Sequence, residues 1–255
     1  MLPQPPRSLV LSPAEWQVLC ESFRFSLPHP GDMQRASAAA RASAKESLLA
    51  RNIIAAGGSR VAEPVAALLF SLAHPGTAVW AGPHGSGRHI VQVSLNKRVS
   101  AIAWQDDEKV RVAHTTRARA PGDLASLVAG GQGTTPTGGT FSLAGGLWHE
   151  LLTQAPVASD RALESLARAE GVAEPRLELV AGLAKSAAGR IDLRCTRPSS
   201  TRSWSGGEVS LLATHGDVWT VNDGRAFGGA GKRASSRAIF TNVDPRELLA
   251  RLMSS

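Results

Sequence analysis

Val61-Ala62-Glu63-Pro64-Val65-Ala66-Ala67-Leu68-Leu69-Phe70-Ser71-Leu72-Ala73 decides the fold, because its opening returns as Val172-Ala173-Glu174-Pro175. The two copies of Val-Ala-Glu-Pro begin 111 residues apart, at 61 and 172. At that offset Leu68, Leu69 and Leu72 meet Leu179, Val180 and Leu183, an apolar i, i+1, i+4 set on one helical face. Solenoid repeats run at roughly 20–50 residues, so this period marks a duplicated subdomain rather than a stacked array. After each such helix the hydrophobic period switches to two for about four short segments, and a closing helix follows. The expected fold is α+β: two quasi-symmetric αβ subdomains with antiparallel sheets flanked by helices.

Working outward, Ser12-Pro13-Ala14-Glu15 carries a helix start, with Ser12 as N-cap, Pro13 at N1 and Glu15 closing a capping box. Trp16, Leu19, Cys20 and Phe23 supply its apolar stripe. Residues 33–55 are Ala-rich and favour a helix stopped by Gly57-Gly58. Strands are expected over Thr77–Ala81, Arg88–Leu95, Val99–Trp104 and Lys109–His114, then a short helix over Pro121–Val128. The later half reads as helices around Leu147–Leu152, Ala158–Ala169 and Pro175–Ala184. Strands over Arg190–Thr196, Glu208–Thr214, Val218–Asn222 and Arg237–Val243 come next. A last helix is capped by Asp244-Pro245-Arg246-Glu247. These elements imply a disordered N-terminus over 1–10, a first subdomain over 11–129, a Gly/Thr-rich linker over 130–140 and a second subdomain over 141–255.

The formal charge is +7, with a pI of about 10.4, which favours acidic partners. The basic residues are scattered, and no basic strip interleaved with aromatics is present. Cys20 and Cys195 are the only cysteines, too sparse for a disulfide framework, and read as small buried hydrophobes in a reducing cytosol. The first residues lack an apolar signal-peptide core. No apolar run approaches the roughly 20 residues of a membrane span. A cytoplasmic protein without membrane insertion is expected.

Candidate chemistry dissolves on inspection. Gly82-Pro83-His84-Gly85-Ser86-Gly87-Arg88-His89 has phosphate-loop glycine spacing, but Arg88 and His89 replace the Lys and Ser/Thr that contact phosphate and Mg²⁺. A strand pattern, Ile90-Val91-Gln92-Val93, then follows where the anion-holding helix is required. The seven histidines form no i, i+4 pair with a carboxylate. No Gly-x-Ser-x-Gly elbow occurs, and Asp106-Asp107-Glu108 reads as a solvated hairpin tip. The chain is expected to have no catalytic residue, metal or cofactor, and not to be an enzyme.

Several stretches resemble the EspG family, the cytosolic secretion-associated chaperones of ESX (type VII) systems in actinobacteria. They are Leu11 to Leu19, Leu48-Leu49-Ala50-Arg51 through Gly57-Gly58 to Val61-Ala62-Glu63-Pro64 and Leu68-Leu69, Ser205 to Leu212, Gly216-Asp217-Val218-Trp219, and Asp244 to Leu249. The likeness spans nearly the whole chain, carried by diffuse apolar spacing and turns. It implies a non-catalytic adaptor, a monomer or weak homodimer, that masks the apolar tip of a helical PE–PPE-like pair until secretion. The chain departs from the family at the turn between the second and third expected strands, which is only Asn96-Lys97-Arg98. The expected partner face comprises Asn96, Lys97, Arg98 and Trp104 in the first half and Leu211 and Trp219 in the second. Against it stands the reading of Trp104 and Trp219 as core residues of their sheets. The +7 charge supports an alternative, a basic nucleic-acid-associated protein.

Overall fold

A computed structural model of the chain describes residues 8–23, 35–55, 60–84, 90–106, 109–128, 139–198, 204–214, 217–223 and 237–254. The chain divides into two compact units, Met1–Ala81 with Arg88–Leu124 and Cys195–Gly206, and Gly82–Gly87 with Ala125–Arg194 and Gly207–Ser255. The first elements are strand β1 (Leu9–Leu11), helices α1 (Pro13–Phe23), α2 (Ala38–Ala50) and α3 (Glu63–Ala73), strands β2 (Thr77–Pro83), β3 (Val91–Leu95), β4 (Ser100–Asp106) and β5 (Lys109–Thr115), and helix α4 (Ala120–Val128). The same order then recurs: β6 (Thr140–Ala144), α5 (Gly145–Gln154), α6 (Asp160–Ala169), α7 (Leu177–Ser186), β7 (Ile191–Pro198), β8 (Trp204–Ala213), β9 (Val218–Asn222), β10 (Arg237–Asn242) and α8 (Pro245–Ser254). Strand adjacency recurs with it, β1-β5-β4-β3-β2 in one half and β6-β10-β9-β8-β7 in the other. The fold is α+β, with antiparallel strands flanked by helices.

In the first unit β2 to β5 form a meander whose register sets Val93 between Val79 and Ile102. β1 adds to β5, with Leu9 opposite Val112 and Leu11 opposite Val110. Ala101, Ala103, Val110 and Val112 join Leu9 and Leu11 in a core completed by Trp16, Leu19, Leu48, Val65, Leu68, Leu69 and Leu72. Small residues on β4 let α3 settle closely on β3 and β4. The predicted α3 stripe is the inward face, and each leucine removed from water there contributes about 1.5–3 kcal/mol.

The capping box at α1 is formed. Ser12 N–H donates to Glu15 Oε2 at 2.7 Å, and Glu15 N–H to Ser12 Oγ at 3.2 Å. Glu15 is more than a cap: its Oε1 accepts from Ser47 Oγ at 2.7 Å and Arg51 Nη1 at 2.9 Å, while Arg51 Nη2 reaches Val10 O at 2.8 Å. Burial pushes the Glu15 carboxyl up, but the Ser12 N–H, the Ser47 hydroxyl and the Arg51 charge outweigh it and hold the carboxyl below its ordinary 4.5. A depressed carboxyl stabilises the fold above the unfolded value, and that contribution is lost as pH falls through the lower native one. Glu15→Gln is therefore expected to lower the urea midpoint at neutral pH, by a margin that shrinks as the buffer is taken below 4.5. A pH-independent deficit would refute this.

In the second unit β8, β9 and β10 are antiparallel neighbours, and β6 pairs with β10, with Phe141 opposite Phe240. Phe141 and Phe240 stack with centroids 4.9 Å apart, Trp148 meets Phe240 edge-on at 4.8 Å, and Trp219 meets Phe141 at 5.5 Å. Arg176 lies 5.4 Å over the Phe141 ring. Leu147, Leu151, Leu163, Val180 and Leu183 complete this core. The Asp244 cap is present, accepting from the N–H groups of Arg246 and Glu247.

The structure corrects three boundaries. Leu9 and Val10 belong to β1 rather than to a loose terminus. Thr140, assigned to the linker, begins β6, while 130–138 lie outside the described residues. The helix expected over 33–55 ends at Ala50: Asn52 takes φ 54°, a left-handed conformation favoured by Asn among residues with a Cβ. Ile53 and Ile54 then turn into the core, and Ile54 bridges Val61. Gly57-Gly58, the expected stop, lie outside the described residues.

Candidate functional site

Helix α3 is apolar on two faces. Apart from Glu63 and Ser71 all its side chains are hydrophobic or Pro. Val65, Leu68, Leu69 and Leu72 face the core. Glu63, Ala66, Ala67, Phe70 and His74, the last just past the helix end, follow i, i+3, i+4, i+7, i+11 spacing on the outer face. Phe70 stays 53% exposed and is braced by the His74 ring at 4.8 Å. With Phe23 from the end of α1 and Val99, these residues line a groove of about 640 Å³.

Asn96, Lys97 and Arg98 form its second wall. The turn between β3 and β4 that carries them is tied to α3. Asn96 Nδ2 donates to Ser71 Oγ at 3.0 Å and Ser71 O at 3.3 Å, and Asn96 Oδ1 accepts from Gly76 N–H at 2.7 Å. Ser71 Oγ donates to Val99 O at 2.8 Å, and Ser100 Oγ closes the turn onto Asn96. Gly76 sits close to the turn: a Cβ there would meet Leu95 O at 3.0 Å and Asn96 Oδ1 at 3.2 Å, so the turn would have to give by a few tenths of an ångström. Lys97 and Arg98 are exposed, and neither has an ion pair among the described residues. Two cations thus stand on a fixed backbone beside an apolar floor.

The structure brings together half of the residues expected at a partner face. Asn96, Lys97 and Arg98 converge on the groove, where Asn96 acts as the tie rather than an open contact. Trp104 is half-buried on β4, between Val91 and Arg111 in register, and does not line the groove. Leu211 and Trp219 are 3% and 2% exposed in the second unit, where Trp219 packs on Phe141. Sequence reasoning missed Phe23, Ala66, Ala67, Phe70 and His74. The available signal was the lack of a polar outer face on α3.

Two polar clusters lie in the second unit. Asp192 accepts from Ser210 Oγ at 2.5 Å and faces His84 Nδ1 at 3.0 Å. Burial pushes the Asp192 carboxyl up, but the His84 and Ser210 hydrogen bonds, with Arg190, hold it below its usual range. The serine donates to the carboxylate rather than to the imidazole, so its proton is not poised for removal by His84. The second cluster pairs Arg190 Nη1 and Nη2 with the two Asp223 oxygens at 2.6 and 3.0 Å, and Trp148 Nε1 adds a bond to Asp223 at 3.3 Å. Arg190 Nε and Trp219 Nε1 are buried without a hydrogen-bond partner. Cys195 is buried and Cys20 partly so, and they are not joined in a disulfide; burial pushes the Cys20 thiol up to about 12. His89, Asp107 and Glu108 lie outside the described residues, and Asp106 pairs with Arg111 at 2.8 Å. Among the described residues, no group of three or more His, Cys, Asp or Glu is placed to hold a metal ion. Nor is any helix there long and apolar enough to cross a membrane.

No protein-family model and no curated protein matches the sequence. Among solved structures, the chain shares the fold of EspG5, a type VII secretion system chaperone of Mycobacterium tuberculosis, solved in complex with the PE25–PPE41 dimer. The likeness covers 96% of this chain and 94% of that one, with a TM-score of 0.56 and 12% sequence identity.

Proposed function

We propose that this chain is a chaperone-like adaptor that binds a helical, PE–PPE-like secretion substrate and keeps its apolar tip out of water until export. The observation that carries this reading is a fold likeness, over almost the full length of both chains, to a secretion-system chaperone solved in complex with a PE–PPE dimer. The groove on α3 supports it. A fixed turn with two exposed cations beside Phe70 suits recognition of another polypeptide, whereas a small-molecule site usually buries 70–90% of its ligand. An exposed apolar helical tip is itself an aggregation hazard, and covering it needs shape and apolar surface, not chemistry.

The reading extends to a cytoplasmic, monomeric or weakly dimeric protein whose two similar element orders arose by duplication, joined through a linker over 130–140. Co-expression with the PE–PPE-type pairs of the same genome tests it. One pair is expected to co-elute with this chain near one-to-one stoichiometry in size exclusion with light scattering, and to aggregate when expressed without it. Absence of a complex with every such pair would overturn the proposal.

A further inference from the structure

We infer that the groove between α3 and the β3–β4 turn seats an acidic amphipathic helix, with the helix's carboxylates toward Lys97 and Arg98. This rests on the reading of the protein as a binder of a helical partner and adds the chemistry of the contact. The floor of Ala66, Ala67 and the 53% exposed Phe70 is apolar, matched to one stripe of a docked helix rather than to a phosphate backbone. α3 has 11 residues, or about three turns, and a partner helix of similar length would cover it.

Charge sets both sign and direction. Lys97 and Arg98 stand by the C-terminal end of α3, whereas Glu63 lies at its first turn. The partner helix should therefore place acidic side chains at the Lys97 end and a basic or neutral one at the Glu63 end. A second copy of this chain is a poor occupant, since its own net charge of +7 brings like charge to the cationic rim. The turn does not need to reorganise, because Asn96 and Ser71 already hold it, so binding costs little ordering of the wall.

The test uses the full chain and two fluorescein-labelled helical peptides of about three heptads, leucine on one face and either glutamate or lysine on the other. Fluorescence anisotropy should show the glutamate peptide binding, with affinity falling as salt rises. Phe70→Asp and the double variant Lys97→Glu/Arg98→Glu should each weaken it at least about tenfold. Both variants alter exposed side chains, and unchanged thermal melts would show that they still fold. The double variant should also reverse preference toward the lysine peptide, which a purely structural role of the turn would not produce.

Preference of the wild type for the lysine peptide, or for a single-stranded oligonucleotide that displaces the glutamate peptide, would overturn the inference. So would binding that ignores both variants. If a PE–PPE-type complex forms and survives the variants unchanged, the groove assignment falls and the chaperone reading stands. If the glutamate peptide binds as described and no PE–PPE pair does, the reverse holds.

Discussion

Asp223→Ala is expected to destabilise the second unit by about 3–5 kcal/mol, the range for stripping one partner from a buried ion pair. Arg190 and Asp223 are 2% and 5% exposed, and two hydrogen bonds of 2.6 and 3.0 Å join them. Without the carboxylate, the buried guanidinium keeps its Nε unsatisfied and has the Asp192 charge to offset it only in part, and Trp148 Nε1 loses an acceptor. The pair need not be stabilising as a pair. Arg190→Met/Asp223→Leu removes both desolvation penalties together, and is expected to recover most of the loss or exceed wild type. Urea denaturation followed by tryptophan fluorescence measures both; a double variant as weak as the single one would show that the charges themselves hold the fold.

Phe240→Ala should cost a similar amount, about 3–5 kcal/mol. Phe240 is fully buried, stacks on Phe141 and takes the edge of Trp148, so truncation opens a cavity bounded by two large rings that cannot collapse into it. Phe240→Leu keeps apolar volume and should cost under about half as much. Equal losses for the two variants would mean that ring geometry, not volume, governs this core. The Phe70→Asp variant is the contrast: a phenylalanine of equal size, 53% exposed, whose replacement is expected to shift the melt far less than Phe240→Ala.

Most helices and hairpins were legible because their information is local. Caps at Ser12 and Asp244, the Leu68-Leu69-Leu72 stripe and the alternation through Val91, Val93 and Leu95 each declare an element within a few residues. The two missed strands depend on distant partners. Leu9 pairs with Val112, and Phe141 with Phe240, about a hundred residues away, so neither short segment carries its pairing in its own pattern. The overlong second helix failed at Asn52, where a backbone preference outweighed alanine-rich helix propensity.

The candidate groove was legible only at its turn, for a related reason. Lys97 and Arg98 stand out in a short turn, and a turn between strands is exposed by construction. Leu211 and Trp219 have the composition of contact residues, but their depth depends on how helices and strands close over them, which no local pattern records. Phe70 was hidden by the success of the α3 reading. The inward stripe explained the helix, and the one local signal on its other side was the absence of polar residues there after Glu63.

That two-sidedness has an evolutionary corollary. Residues at 65, 68, 69 and 72 answer to folding, whereas those at 66, 67, 70 and 74 turn toward the groove and, on the docking inferred above, would answer to a partner. On that inference, lineages could retune the partner by exchanging side chains one step round the same cylinder, leaving the architecture untouched.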